Sequence, residues 1–211
     1  MPRVYLTYLN SSGINVDVEF IKLLGPSSLH LHPNPILLFL AKNPADSESS
    51  LLIKLVAPEC YGETVHRMLA DKGLAPLLHG IVCVAGAPSA IMMEYLDENS
   101  GWMALQNYIK EHQEITINTE HPGLVQLLET MKTKEVVHGD LRPINIMCRE
   151  RGELEIKVID FGQAGSLGVA RYPAGMNPKI PWPGKLRDLI GRDDNKKLLS
   201  KTLAKLYSRS D

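Results

Sequence analysis

The chain has 211 residues, of which 44% are apolar and 22% charged, with a formal net charge of −1. That balance suits one globular domain or two small lobes, and it lacks the basic excess of a nucleic-acid binder. No apolar run is long enough to span a bilayer, because the best candidate, Pro35–Ala41, stops at Lys42, and the N-terminus has no secretory core.

The first half reads as strands. Val16–Leu24 alternates and then runs apolar up to the turn pair Gly25-Pro26. Ile36–Ala41 is a compact apolar run, and Leu51–Val56 follows the polar loop Asp46–Ser50. Short apolar runs between turn residues are the signature of a buried sheet. A helix is expected over about Tyr61–Lys72, closed by Gly73 with Pro76 beyond it. Gly80–Val84 and Ala90–Leu96 are two more strands, and the polar Asp97–Gly101 reads as a hinge.

Beyond the hinge the period becomes helical. Trp102, Leu105, Tyr108 and Ile109 share one face, as do Leu124, Leu127, Leu128 and Met131. A last helix over about Asp194–Tyr207 carries Leu198, Leu199, Leu203 and Leu206 opposite its lysines. A sheet-rich half followed by a helix-rich half predicts an α+β chain of two lobes, residues 1–97 and 98–211. Three widely spaced cysteines, Cys60, Cys83 and Cys148, form neither a disulfide framework nor a zinc spacing. The expectation is therefore a cytoplasmic protein, with the nucleus left open, and neither nucleic acid nor membrane as a partner.

The chemistry concentrates in Val136-Val-His-Gly-Asp-Leu-Arg-Pro-Ile-Asn-Ile-Met147 and Ile156-Lys-Val-Ile-Asp-Phe-Gly162. These stretches resemble the catalytic loop and metal-binding strand end of protein kinases, His-Arg-Asp-Leu-Lys-Pro-x-Asn and Asp-Phe-Gly. Phosphoryl transfer asks a protein mainly to position groups and to neutralise charge on the phosphate oxygens. Asn145 and Asp160 are hard oxygen ligands suited to Mg²⁺, and Asp140 is placed to accept or orient the proton of an attacking hydroxyl. Arg142 stands where the family usually carries lysine, and its planar fork suits a transferring phosphate.

Upstream, Lys54 in Leu52-Ile-Lys-Leu55 is similar to the strand lysine of Val-Ala-Ile-Lys. The resemblance implies that Lys54 contacts the α- and β-phosphates of ATP and is held by Glu63 on the following helix. Ile91-Met-Met-Glu-Tyr-Leu96 resembles the strand entering the kinase hinge. By that match Met93 borders the adenine, and Glu94 and Leu96 offer backbone hydrogen bonds to it. The implied ligands are ATP and Mg²⁺.

Tyr61–Pro76, Ala170-Arg-Tyr-Pro173, Ile180-Pro-Trp-Pro183 and Arg192–Leu198 look most like short kinase-like proteins found widely in fungi. Three features depart from ordinary kinases. The turn Leu24-Gly-Pro-Ser-Ser-Leu29 has one glycine in place of a glycine-rich loop, leaving Ser27 and Ser28 as donors and implying weaker ATP binding. Gly139 replaces the arginine that usually answers an activation-loop phosphate, so the segment after Gly162 is expected to be ordered without modification of Ser166. The chain ends soon after that segment, which leaves a shortened helical lobe. Asp193 or Asp194 is then the candidate to anchor the catalytic loop, as a buried aspartate does in larger kinases.

Together these residues imply an ATP-dependent phosphotransferase, foremost a protein serine/threonine kinase with catalytic residues Asp140, Arg142 and Lys54. Two alternatives stand beside it. One is a small-molecule kinase of the aminoglycoside type, toward which Gly139 leans; the other is a pseudokinase or interaction module, toward which the lost glycine loop leans.

Overall fold

A computed structural model describes residues 5–9, 15–24, 37–44, 46, 49–57, 61–83 and 87–208. Ser27, Ser28, Cys60 and the turn that stands for a glycine-rich loop lie outside the described residues. The chain divides into two compact units, Met1–Tyr61 with Pro76–Tyr95, and Gly62–Ala75 with Leu96–Asp211. The α+β division into a sheet-rich and a helix-rich part is as expected.

The first unit is an antiparallel sheet of six strands: β1 Tyr5–Leu9, β2 Asn15–Leu24, β3 Leu37–Lys42, β4 Ser50–Val56, β5 Leu78–Val82 and β6 Ser89–Glu94. Their spatial order is β1-β2-β3-β4-β6-β5. The period-2 alternation of β4 explains its central place. Leu51 and Ile53 are fully buried on one face against Val18, Ala41, Ala90 and Met92. On the other face Leu52 and Val56 pack with Leu78, Ile91 and Met93. A strand buried on both sides needs an apolar run with little polar interruption, and Lys54 is the one charge in it.

The second unit begins with helix α1, Glu63–Ala70. It is shorter than the sequence suggests, because Gly73 at φ 71° turns the chain left-handed. Leu74 N–H then reaches Leu69 C=O and Gly73 N–H reaches Ala70 C=O, both at 2.9 Å, so the orphan carbonyls of the last turn are satisfied. A short strand β7, Met103–Ala104, precedes α2, Leu105–Glu111, so Trp102 and Leu105 share burial without sharing a helix. Helix α3, Pro122–Thr133, buries Leu124, Leu127 and Met131. Strand β8, Val136–Val137, pairs with β11, Gly165–Ser166, while β9, Ile146–Arg151, and β10, Glu153–Val158, form a hairpin.

The last helix, α4, spans Asp194–Tyr207 and buries Leu198, Leu199 and Leu203. It packs against α2 and against the 3₁₀ turn Pro143–Asn145. Among the described residues no helix is long and apolar enough to cross a membrane.

Candidate active site

The second unit holds the loop that joins β8 to β9, and a network of hydrogen bonds runs through it. His138 is fully buried. Its Nε2 lies 3.0 Å from the carbonyl of Ile159, and its Nδ1 lies 3.3 Å from the Asp140 N–H. The tautomer with its proton on Nε2 satisfies both contacts. The ring thereby ties the loop to the residue before Asp160.

Gly139 follows at φ 83°, a conformation an L side chain rarely adopts. A Cβ there would sit 2.8 Å from the Cβ and the carbonyl oxygen of Gln163. This backbone has no room for the arginine of ordinary kinases, so Gly139 is a packing requirement as well as a missing charge.

Two further loop amides point at α4. The Oδ1 of Asn195 accepts from His138 N–H at 3.3 Å and from Gly139 N–H at 3.2 Å. Asn195 is 4% exposed. The expected anchors, Asp193 and Asp194, do not take this role. Asp194 instead accepts from Tyr172 Oη at 3.0 Å and from Gly191 N–H at 2.7 Å. Burial, together with that carboxylate, pushes the Tyr172 phenol above its usual range. The helical phase gives the reason: Asn195 precedes Leu198 and Leu199 by three and four residues and so falls on the buried stripe. That signal was present in the sequence.

Asp140, 7% exposed, sits at the centre of the loop. Arg142 grips its carboxylate with Nε at 2.5 Å from Oδ1 and Nη2 at 2.7 Å from Oδ2. The guanidinium also lies 5.9 Å from the ring centre of Trp182. Asn145 donates through Nδ2 to the Asp140 backbone carbonyl and to Oδ2, both at 2.9 Å. The amide nitrogen is thus fully used, and the amide oxygen has no protein donor among the described residues. A hard oxygen turned away from the hydrogen-bond network fits a ligand for Mg²⁺.

The β9–β10 hairpin brings the chain back to Asp160. Ile159 N–H donates to Asn145 C=O at 2.9 Å, which fixes the spacing of the two stretches. Asp160 adopts φ 68°, an uncommon conformation for a residue with a Cβ and one that clusters at functional sites. Phe161 is buried next to it, stacked on His66 at 4.3 Å and edge-on to His138 at 5.3 Å. His66 is fully buried. The Phe161 carbonyl accepts from Gly62 N–H at 2.9 Å, so α1 begins on this strand end.

Asp140, Arg142, Asn145 and Asp160 are therefore gathered around one loop and one hairpin. Glu63, also in this unit, is half exposed and pairs with Arg67 one turn along its own helix at 2.8 Å. Leu96, which opens the second stretch of this unit, buries its side chain and makes no backbone hydrogen bond among the described residues. Lys54, Met93 and Glu94 belong to the first unit. Lys54 is 8% exposed and lies opposite Ile91, while its neighbour Leu52 lies opposite Met93. Lys54 and Met93 thus share one face of the sheet. Glu94 N–H is bonded to Leu77 C=O at 2.8 Å.

A search of solved structures matches this arrangement to the kinase PK-1 of Cydia pomonella granulovirus, with a TM-score of 0.63 and 18% identity, covering 91% of this chain and 69% of that one. The chain has a protein-kinase-like fold. The protein kinase domain family model matches residues 82–173 of the kinase-like chain, a stretch that includes Asp140, Asn145 and Asp160. A probable serine/threonine-protein kinase of Streptomyces coelicolor is 35% identical over 78 residues, 37% of this chain and 11% of the relative. Dual specificity tyrosine-phosphorylation-regulated kinase 2 of Drosophila melanogaster is 40% identical over 42 residues, 20% of this chain and 6% of the relative. The kinase-like chain thus spans only a small part of the curated relatives it matches. These matches support a place in the protein-kinase-like superfamily.

Proposed function

We propose that the chain is an ATP-dependent phosphotransferase that moves the γ-phosphate of ATP to a protein serine or threonine hydroxyl. The observation that carries this reading is the Asp140 carboxylate, held by the fork of Arg142 and the amide of Asn145 in a loop buried on α4. A carboxylate fixed in this way is preorganised to accept a proton without reorganising. The acceptor oxygen bonds to the γ-phosphorus while the bond from that phosphorus to the bridging oxygen of ADP breaks, and the hydroxyl proton passes to Asp140. Arg142 Nη1, not used on Asp140, is a donor for the phosphate oxygens.

The second unit contributes the Asn145 amide oxygen and the Asp160 carboxylate as ligands for magnesium, which neutralises phosphate charge when bound. Leu96, with its backbone groups unengaged among the described residues, is a hydrogen-bond partner for the adenine. By resemblance, Lys54 is assigned to the α- and β-phosphates, and Met93 and Glu94 to the base. Resemblance across Tyr61–Pro76 and Ile180–Pro183 supports a kinship with the short fungal-type kinase-like proteins.

Transfer from γ-labelled ATP with Mg²⁺ to mixed protein substrates tests the reading, with D140N beside the wild type. The expected result is transfer that falls by about a hundredfold or more in D140N. Equal transfer by the two proteins would overturn it. A second reading, a kinase-fold module that binds without turnover, draws on the single glycine of Leu24–Leu29 and on Glu63 being engaged by Arg67. Mg-ATP binding without transfer to proteins or small hydroxyl compounds would favour that second reading.

A further inference from the structure

A cavity of about 260 Å³ opens in the second unit beside Arg142, and the reading above gives it no task. Its floor is apolar: Pro143 and Ile144 of the catalytic loop, Pro181, and the α4 side chain Leu206. Its remaining charges are all positive, from Arg142, Lys179 and Lys205, and no acidic side chain lines it.

Only one of these charges is answered. Asp140 neutralises Arg142. The Lys205 ammonium is held in place by the carbonyl of Lys179 at 3.1 Å, a dipole that orients it without cancelling it. The Lys179 ammonium has no partner among the described residues, although its backbone is fixed by Asn177 Oδ1 at 2.9 Å. Two unanswered ammonium groups over an apolar floor therefore stand next to the residue that holds Asp140. Ile144 adds to that floor and is 38% exposed, a large apolar side chain left for an occupant.

We infer that this cavity seats an acidic stretch of the acceptor protein, with a carboxylate side chain between Lys179 and Lys205 and an apolar neighbour over Ile144 and Pro181. The inference rests on the phosphotransferase reading for its meaning, but it concerns recognition alone. Charge complementarity selects the occupant: a basic segment meets two like charges, whose juxtaposition is costly, and a neutral one leaves them unanswered. The groove lies beside the loop that carries Asp140, so a peptide seated there brings a nearby hydroxyl toward that carboxylate. It would make the enzyme select acceptors rich in Asp and Glu next to an apolar residue.

The test is direct binding of fluorescein-labelled peptides to the full chain, read by anisotropy and independent of catalysis. One peptide carries Asp and Glu around a Leu-Ser pair, and its counterpart carries Lys and Arg at the same positions. The expected result is binding of the acidic peptide at least about tenfold tighter, weakened by added salt and abolished or reversed in the double variant K179E/K205E. K179R/K205R, which keeps both charges on exposed positions, is expected to bind as the wild type does. Equal binding of the two peptides, or acidic-peptide binding unchanged in K179E/K205E, would overturn the inference. Selective binding without phosphate transfer from γ-labelled ATP would leave this inference standing and count against the phosphotransferase reading alone.

Discussion

Asn195 Oδ1 lies 3.2 Å from the backbone nitrogen of Gly139, so the helix that closes the chain holds the loop that carries Asp140. One short side chain at the start of α4 takes two amide hydrogens, from His138 and Gly139, that would otherwise be buried unpaired. This contact makes α4 part of the site.

Replacing Asn195 with leucine keeps its branched outline, adds bulk and removes the acceptor. N195L is expected to lose about 2–4 kcal/mol of stability, because two buried donors are left unsatisfied. N195D retains an acceptor and is expected to lose less. Urea unfolding midpoints of the three proteins check the order, and equal midpoints for N195L and wild type would remove α4 from this role.

The pair Asp140–Arg142 separates charge from shape. R142K keeps the charge but loses the two-pronged contact, and lysine reaches one carboxylate oxygen as a point charge. Transfer of phosphate by R142K is expected to fall by roughly tenfold or more, with the unfolding midpoint little changed. R142A should also cost about 1–2 kcal/mol of stability, since it strands a carboxylate that is mostly withdrawn from solvent. Steady-state transfer rates set beside unfolding curves distinguish the two effects.

Gly139 allows a prediction about backbone strain. G139A adds a Cβ at φ 83°, 2.8 Å from Gln163 backbone and side-chain atoms. Left-handed strain and overpacking together are expected to cost roughly 2–5 kcal/mol. G139R, which restores the arginine of ordinary kinases, is expected to be at least as destabilised. A thermal midpoint equal to wild type in either variant would show that the loop relaxes freely.

Alkaline pH should weaken the second unit. Burial, and then the nearby Glu150 carboxylate, push the Cys148 thiol from 9.0 up to about 12. Burial and a hydrogen bond to Glu150 raise the Tyr108 phenol from 10.0 to about 12. Both groups hold their protons more tightly in the folded chain than in the unfolded one. Their contribution is therefore fully present below pH 9.0 and lost as pH rises toward about 12, because the unfolded chain releases its protons first. C148V, which fills the same buried site without a titratable group, is expected to flatten the lower part of that decline. Denaturant midpoints across the window check the slope, and a decline as steep in C148V would exclude the thiol as its source.

Much of the fold was legible in the sequence because it rests on local periodicity. The two-sided apolar run of β4 and the leucine stripe of α4 state their partners' character without naming them. The α1 boundary was read too long, since the left-handed turn at Gly73 is set by capping hydrogen bonds and not by composition. Trp102 was read as helical because its spacing to Leu105 fits a helix, yet pairing of β7 with β9 wins at that point.

The sequence by itself determined which candidate residues carry charge and oxygen: Asp140, Asn145 and Asp160 stand at spacings that resemble those of protein kinases. Tertiary structure decided how they are held. The helical phase already put Asn195 on the leucine stripe of α4, but its meeting with the loop follows from packing of the whole helix against α2 and the 143–145 turn. The need for glycine at position 139 depends on Gln163 arriving from a distant part of the chain. Residue type and spacing are local properties, whereas burial, φ and the direction of a hydrogen bond are fixed only when distant segments meet.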